Sequence, residues 1–142
     1  MASFLTSEAP FVLFDFLKER IGLTWSQDLR MIGKVEDGVL VGVIGYNQYT
    51  GSSCQMHFAG DKKGWFSRKV LSEIFRYAFD VLNCKVVYAQ VASSNAEALD
   101  IDRRVGFKDV VFLPDAHPDG GVYLLQMFKE DCRWLRRGKD DG

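Results

Sequence analysis

At 142 residues, with 47% hydrophobic and 13% aromatic side chains, the chain has the size of one domain and enough apolar surface for a core of its own. A formal net charge of −1 and an isoelectric point near 6.1 argue against a general nucleic-acid or membrane-surface binder, classes that carry a basic surplus. No apolar run approaches a membrane span and the first ten residues lack a basic stretch, so neither a span nor a signal peptide is expected; the expected location is cytoplasmic.

In chain order, residues 10–21 read as a first helix, with Pro10 suited to its first turn, Gly22 to its end, and Phe11, Phe14, Leu17 and Ile21 as its apolar stripe. Residues 1–8 offer no clear strand, and 25–29 read as a short turn or helical stub. Two strand-like runs, 30–36 and 39–49, flank Asp37 and Gly38, a pair suited to a two-residue hairpin. A second turn at 50–53 leads into residues 54–59, which extends the meander to three antiparallel strands. Residues 66–82 carry the strongest pattern: Phe66, Val70, Ile74, Ala78 and Leu82 fall four apart, Leu71, Phe75 and Phe79 fill the adjoining row, and charges take the other side. Strand 54–59, the polar loop 60–65, this helix and the apolar run 85–92 compose a βαβ unit, whose two strands are parallel. Ser94 and Glu97 have the form of a capping box opening a helix from 95 to about 104, closed by Gly106. Residues 107–113 then read as a strand, 114–121 as a turn-rich loop and 122–129 as the last strand. The expected organisation is one domain over 1–130 and a charged tail over 131–142, in which Trp134 and Leu135 can dock.

The loop before the long helix is the first chemical signal. Unpaired amides at a helix start can receive phosphate, and Lys62 and Lys63 add positive charge. The same residues also suit an ordinary strand-to-helix connection with two solvated lysines. Cys54, Cys84 and Cys132 are odd in number and lack metal-ligand spacing, so they are expected to be reduced packing residues, and no metal is expected.

Taken together, these features carry a resemblance. The meander, the glycine-bearing loop opening an amphipathic helix, the segment from Val91 through Asn95 to Ala98, and Arg104, Val105, Gly106 and Phe107 resemble the GNAT family of acyl-CoA-dependent N-acetyltransferases over roughly residues 28–130. The implied fold is α+β: a mixed, mostly antiparallel sheet with a central parallel βαβ unit and helices on both faces. The implied co-substrate is acetyl-CoA. Its pantetheine arm would lie between splayed parallel strands against Met56, Phe58 and Ala59, held from the other side by Asn95. Its pyrophosphate would meet Lys62, Lys63, Gly64, Trp65 and Phe66, with Ser67 and Arg68 adjoining. Asn95 also reads simply as a helix-start residue, and Trp65 and Phe66 as cover for the helix start.

Two departures from the family pattern bear on mechanism. The loop Asp61 to Phe66 keeps one of the family's usual glycines. Where many members place a Tyr, seven residues after the Asn, this chain has Asp102, a carboxyl that can give a proton at neutral pH only if its pKa is strongly raised.

The implied reaction is attack of a neutral primary amine on a thioester in a ternary complex, with a small amine, a lysine or a protein N-terminus as acceptor. At pH 7.4 deprotonation costs about 4 kcal/mol for a lysine-like amine and about half a kcal/mol for an α-amine. Orientation in a cleft is worth roughly 7 to 11 kcal/mol. His57 alternates with Gln55 and Ala59 on one strand face, and an imidazole near pKa 6.5 suits proton removal. His117 is a candidate for the acceptor side, and Asp102 for orienting a water or a cation. Each also reads as an ordinary structural residue. The expected assembly is a monomer or homodimer. The alternative is a non-catalytic module of the same fold that binds a protein partner. Nucleic-acid binding through Arg133, Arg136, Arg137 and Lys139 is disfavoured by the interspersed Asp131, Asp140 and Asp141.

Overall fold

The computed structural model describes residues 3–61 and 65–135. Seven strands form one sheet: β1 (Ser3–Thr6), β2 (Arg30–Glu36), β3 (Val39–Asn47), β4 (Ser53–Gly60), β5 (Val86–Ala92), β6 (Lys108–His117) and β7 (Gly120–Phe128), in the order β1-β2-β3-β4-β5-β7-β6. Every neighbouring pair is antiparallel except β4 with β5, which is parallel as the βαβ reading requires. Helix α1 (Pro10–Ile21) packs on one face over β2, β3 and β4, whereas α2 (Arg68–Arg76) and α3 (Ala96–Val105) belong to the other face. The larger core lies on the α2 side, around Ile44, Tyr46, Met56, Ile74, Phe75, Phe79, Val87 and Leu125.

Local chemistry explains most boundaries. Asp37 and Gly38 have φ of 51° and 82°, the left-handed pair of a tight hairpin. Gly22 caps α1 in the left-handed region, its N–H donating to the Lys18 carbonyl. The cysteines are free and buried.

Several expectations are corrected. A first strand exists: Ser3–Thr6 pairs with β2 although its own sequence is short, because a neighbour's free edge supplies the partner. Of the expected 11/14/17/21 stripe Leu17 is buried and Phe14 partly so, but Phe11 is 74% exposed and Ile21 41%, and Leu13 and Phe16 take their places in the core. Glycines in the sheet set this rotation, since Leu13 lies against Gly33 and Leu17 against Gly45, where any Cβ would crowd them. Phe11 and Phe14 instead pack on Trp25, at ring distances of 6.4 and 5.2 Å. Residues 25–29 contain a turn and no helical stub.

The long helix begins at Arg68 rather than Phe66, because Ser67 caps it by accepting the Val70 N–H at 3.2 Å. After Arg76 it widens into a π turn, Tyr77–Val81, and the buried Tyr46 hydroxyl donates to the Ile74 carbonyl at 2.8 Å just before that turn. Asn95, not Ser94, caps α3, its side chain accepting from the Ala98 N–H. The expected loop over 114–121 is instead the end of a strand and a hairpin: β6 runs through Pro114 to His117, with the two-residue turn at Pro118 and Asp119. Pro114 is tolerated because β6 is the edge strand. After β7 the chain stays docked: Cys132 is 4% exposed, and the 3-10 turn Arg133–Leu135 lies along α2, with Trp134 Nε1 donating to the Val105 carbonyl at 2.9 Å.

Candidate active site

The parallel pair is joined only at its base. Ser53, Cys54 and Gln55 pair with Val86, Val87 and Tyr88, and the register between the strands stops there. Beyond it, β4 continues to Gly60 paired with β3 alone, and β5 continues to Ala92 paired with β7 alone. In each strand about half of the backbone groups face the missing neighbour, so beyond Gln55 and Tyr88 two rows of donors and acceptors lack a partner strand, and the space between them is termed the gap. The base is sealed, with Lys85 N–H donating to the Ser52 carbonyl at 2.7 Å and Cys54 and Cys84 each 1% exposed.

Met56, Phe58 and Ala59 lie on the gap-bordering stretch of β4. Met56 is buried on the α2 side, and Phe58 stands between Phe66 and Phe107, with ring centroids 5.7 and 6.2 Å away. Ala59 is buried under α1. Trp65 is 4% exposed and fills the surface above Gly42 and Gly60, so close that a Cβ at either glycine would enter its indole. Its ring therefore serves packing, as does that of Phe66, 4.0 Å from it. Ser67 caps α2, which leaves the amides of the first helical turn short of one free donor. Arg68 is exposed, its guanidinium 5.8 Å above Trp134 on the outer side of α2. Lys62, Lys63 and Gly64 lie outside the described residues. Asn95 is exposed at the end of β5, with its carbonyl oxygen engaged by the α3 cap.

His57 belongs to the opposite face from Met56 and Phe58, the face on which α1 packs over β2 to β4. Its Nε2 is 2.8 Å from Oδ1 of Asn47, itself a buried residue of β3. With that oxygen as acceptor, Nε2 carries the proton and Nδ1 keeps a lone pair. Burial pushes the imidazole down to about 4, so His57 is neutral throughout the physiological range, in place of the half-titrated group expected near 6.5. Asn47 escaped notice in the sequence because nothing in a strand-end Asn announces a partner ten residues away.

Asp102 lies on the buried face of α3 with Leu99 and Val105 and is 7% exposed. Its carbonyl accepts the N–H of Phe107, the residue whose ring reaches Phe58 beside the gap. Among the described residues its carboxyl has no hydrogen-bond or charge partner, and burial alone pushes it up to about 7. The rise is in the direction that a proton donor at position 102 would need. His117 ends β6, two strands beyond β5, in a hairpin that meets the end of β5 through the Gly121 N–H donated to Ser93 Oγ at 3.0 Å, and its Nδ1 accepts the Asp119 N–H at 3.1 Å. Strand spacing puts about 14 Å between β4 and β6.

Among the described residues no cluster of three or more His, Cys, Asp or Glu could hold a metal ion, and no helix is long and apolar enough to cross a membrane.

A mixed sheet with one parallel pair, open at its mouth and flanked by a helix start, is the architecture of the GNAT acetyltransferases, and this chain has that fold. Solved structures of the spermidine/spermine N-acetyltransferase SpeG from Vibrio cholerae are similar to it along nearly their whole length. A mutant form superposes with a TM-score of 0.77 at 14% identity, covering 96% of this chain and 99% of that one. The complex of that enzyme with CoA and spermine gives 0.76 at 13% identity, over 94% and 98%. A dodecameric form gives 0.73 at 16% identity, over 95% and 97%. No family model and no curated protein matches the chain in sequence.

Proposed function

We propose that the protein is an N-acetyltransferase that carries acetyl from acetyl-CoA to a primary amine by direct attack in a ternary complex. The observation that carries this reading is the gap between β4 and β5, which begins where their register ends at Gln55 and Tyr88. Unpaired strand edges at that depth invite an extended ligand that adds itself as a strand, and a solved neighbour of the same fold is a complex with CoA. Backbone groups of Met56, Phe58 and Ala59 would hold the pantetheine arm from one side, and the end of β5 with Asn95 from the other. The start of α2, from Trp65 to Arg68, would meet the pyrophosphate. When bound, acetyl-CoA supplies an activated thioester carbonyl.

The side chains divide the proton work. His57 holds its Nε2–H on Asn47 and offers Nδ1 as a fixed acceptor to an incoming amine N–H. With a pKa near 4 it is a weak base. Taking a proton outright from an α-amine of pKa about 7.8 is uphill by about 5 kcal/mol, so its contribution is orientation and water takes the proton. Asp102, about half protonated near pH 7, holds a proton on its carboxyl that it can give to a departing sulfur. The acceptor is a primary amine, and the spermine held by the solved neighbour makes polyamines the first class to screen.

Titration calorimetry with acetyl-CoA, followed by a thiol-release screen over polyamines, lysine and short peptides, tests the reading. Micromolar binding and amine-dependent thiol release are expected. Binding of a stoichiometric protein partner, with no heat from acetyl-CoA, would favour the alternative of a non-catalytic module. That reading draws its support from Ser67, which takes one of the amides a pyrophosphate would use.

A further inference from the structure

The outer side of α2 carries a feature that acetyl transfer at the gap does not use. An open groove of about 470 Å³ separates the helix from the docked turn Arg133–Leu135, with Arg68, Lys69, Arg76, Arg133, Glu73 and Trp134 on its walls. Four cations and one carboxylate meet there, in a chain whose formal net charge is −1. Glu73 is taken up by its ion pair with Arg76, and among the described residues Arg68, Lys69 and Arg133 have no carboxylate partner. Three uncompensated positive charges on a concave surface repel one another, and an anion relieves that repulsion.

The charges are also held in place. Trp134 is fixed by its Nε1 bond to Val105, and the turn it belongs to is anchored by buried Cys132. The indole in turn orients two guanidinium groups, that of Arg133 at 4.4 Å and that of Arg68 at 5.8 Å from its ring centre. A second bond, from Arg133 Nη2 to the Arg104 carbonyl at 2.6 Å, ties the same residue to the end of α3. A solvated charged helix face has no such scaffold, and this one resembles a preformed receptor for a phosphate.

We infer that this groove receives the 3′-phosphate at the nucleotide end of coenzyme A, so that the protein distinguishes CoA from its dephospho form. The inference rests on the acetyl-transfer reading, because that reading brings the cofactor's pyrophosphate to the start of α2, where Arg68 opens the groove. The ribose sets the 3′-phosphate a few bonds from the pyrophosphate, and it carries the cofactor's densest terminal charge. The occupant is thus matched to the groove by charge and by continuity with the cofactor path.

Calorimetry on the full chain with two probes, CoA and dephospho-CoA, decides the matter. The wild type should bind CoA about tenfold tighter than dephospho-CoA, the effect of one additional charge-assisted contact. Arg133→Ala should remove that preference by weakening CoA about tenfold while leaving dephospho-CoA unchanged. Lys69→Gln, an exposed substitution on the same groove wall whose thermal midpoint should match the wild type, is the second variant if Arg133→Ala undocks the tail. Equal affinity of the wild type for both probes overturns this inference and leaves the acetyltransferase reading standing. Failure to bind either probe overturns both.

Discussion

The two ends of the β4–β5 pair are built from the same strands and do opposite things. At the base, residues 53–55 and 86–88 are in register, Lys85 bonds to Ser52, and the surrounding side chains are buried. At the mouth, residues 56–60 and 89–92 turn their facing edges to each other unpaired, with Phe58, Phe66 and Phe107 along the helix side and His57 on the other face. Backbone pairing at one end stabilises the fold, and its withholding at the other end leaves hydrogen-bonding capacity for a ligand. Substitutions at the base should therefore register in stability alone, and those at the mouth in binding as well.

The largest effect should come from Trp65, which closes the sheet surface above Gly42 and Gly60 at the mouth. Trp65→Ala is expected to cost about 3–5 kcal/mol in urea unfolding and to weaken acetyl-CoA binding with it. A wild-type affinity in this variant would mean that the mouth is framed by the backbone alone.

Asp102 comes next. Its folded pKa, near 7, is raised above the ordinary 3.8, so its stabilising contribution is complete below about pH 4 and is lost as pH rises through about 7. Asp102→Asn should match the wild type at pH 4 and exceed it at pH 8, by up to about 4 kcal/mol. Its thiol release should fall most with thiols that are poor leaving groups and recover with an aryl thioester. Identical thermal midpoints at pH 8 would show the carboxyl to be solvated.

His57 has the reverse sign. Its folded pKa is depressed from 6.5 to about 4, so the stability of the neutral ring is present above about pH 6.5 and lost as pH falls through about 4. His57→Asn should flatten that acid limb by about 3 kcal/mol. His57→Ala should lower turnover on a lysine-like amine about tenfold, the loss of one orienting contact, and a loss of about 10²-fold or more would mark it as the base. The wild-type kcat/KM profile should lack a limb near pH 6.5 from this group, and finding one that disappears in His57→Ala would restore it as an ordinary base.

The smallest effect belongs to the base side. Tyr46→Phe deletes the hydroxyl that serves the Ile74 carbonyl and should cost about 1 kcal/mol with acetyl-CoA affinity unchanged. A parallel loss of affinity would erase the distinction between the two ends.

Much of this architecture was legible in the chain, and the misses have identifiable causes. The span of α1, the Asp37-Gly38 hairpin, the meander and the parallel crossover were readable because caps, left-handed turn pairs and apolar periods act within a few residues. The rotation of α1 was not, because Gly33 and Gly45, distant in sequence, decide which side chains fit beneath it. The hairpin at Pro118 and Asp119 was hidden by two prolines and two glycines that read as a loop, yet suit an edge strand with one free side. His57 could be proposed from its residue type and strand alternation, and Asn95 and Asp102 from the family resemblance, whereas Asn47, Arg133 and Trp134 stand out only through partners across the fold.

The sequence by itself determined the elements, their order and the parallel sense of the central strands, since these follow from local backbone preference and the length of one crossover. The tertiary structure alone decided where β4 and β5 part, that His57 is neutral and Asp102 readily protonated, and that a basic groove is assembled from both ends of the βαβ-to-tail segment. Each of these depends on burial and on neighbours far along the chain, and desolvation acts through distance in space, to which spacing in sequence is blind.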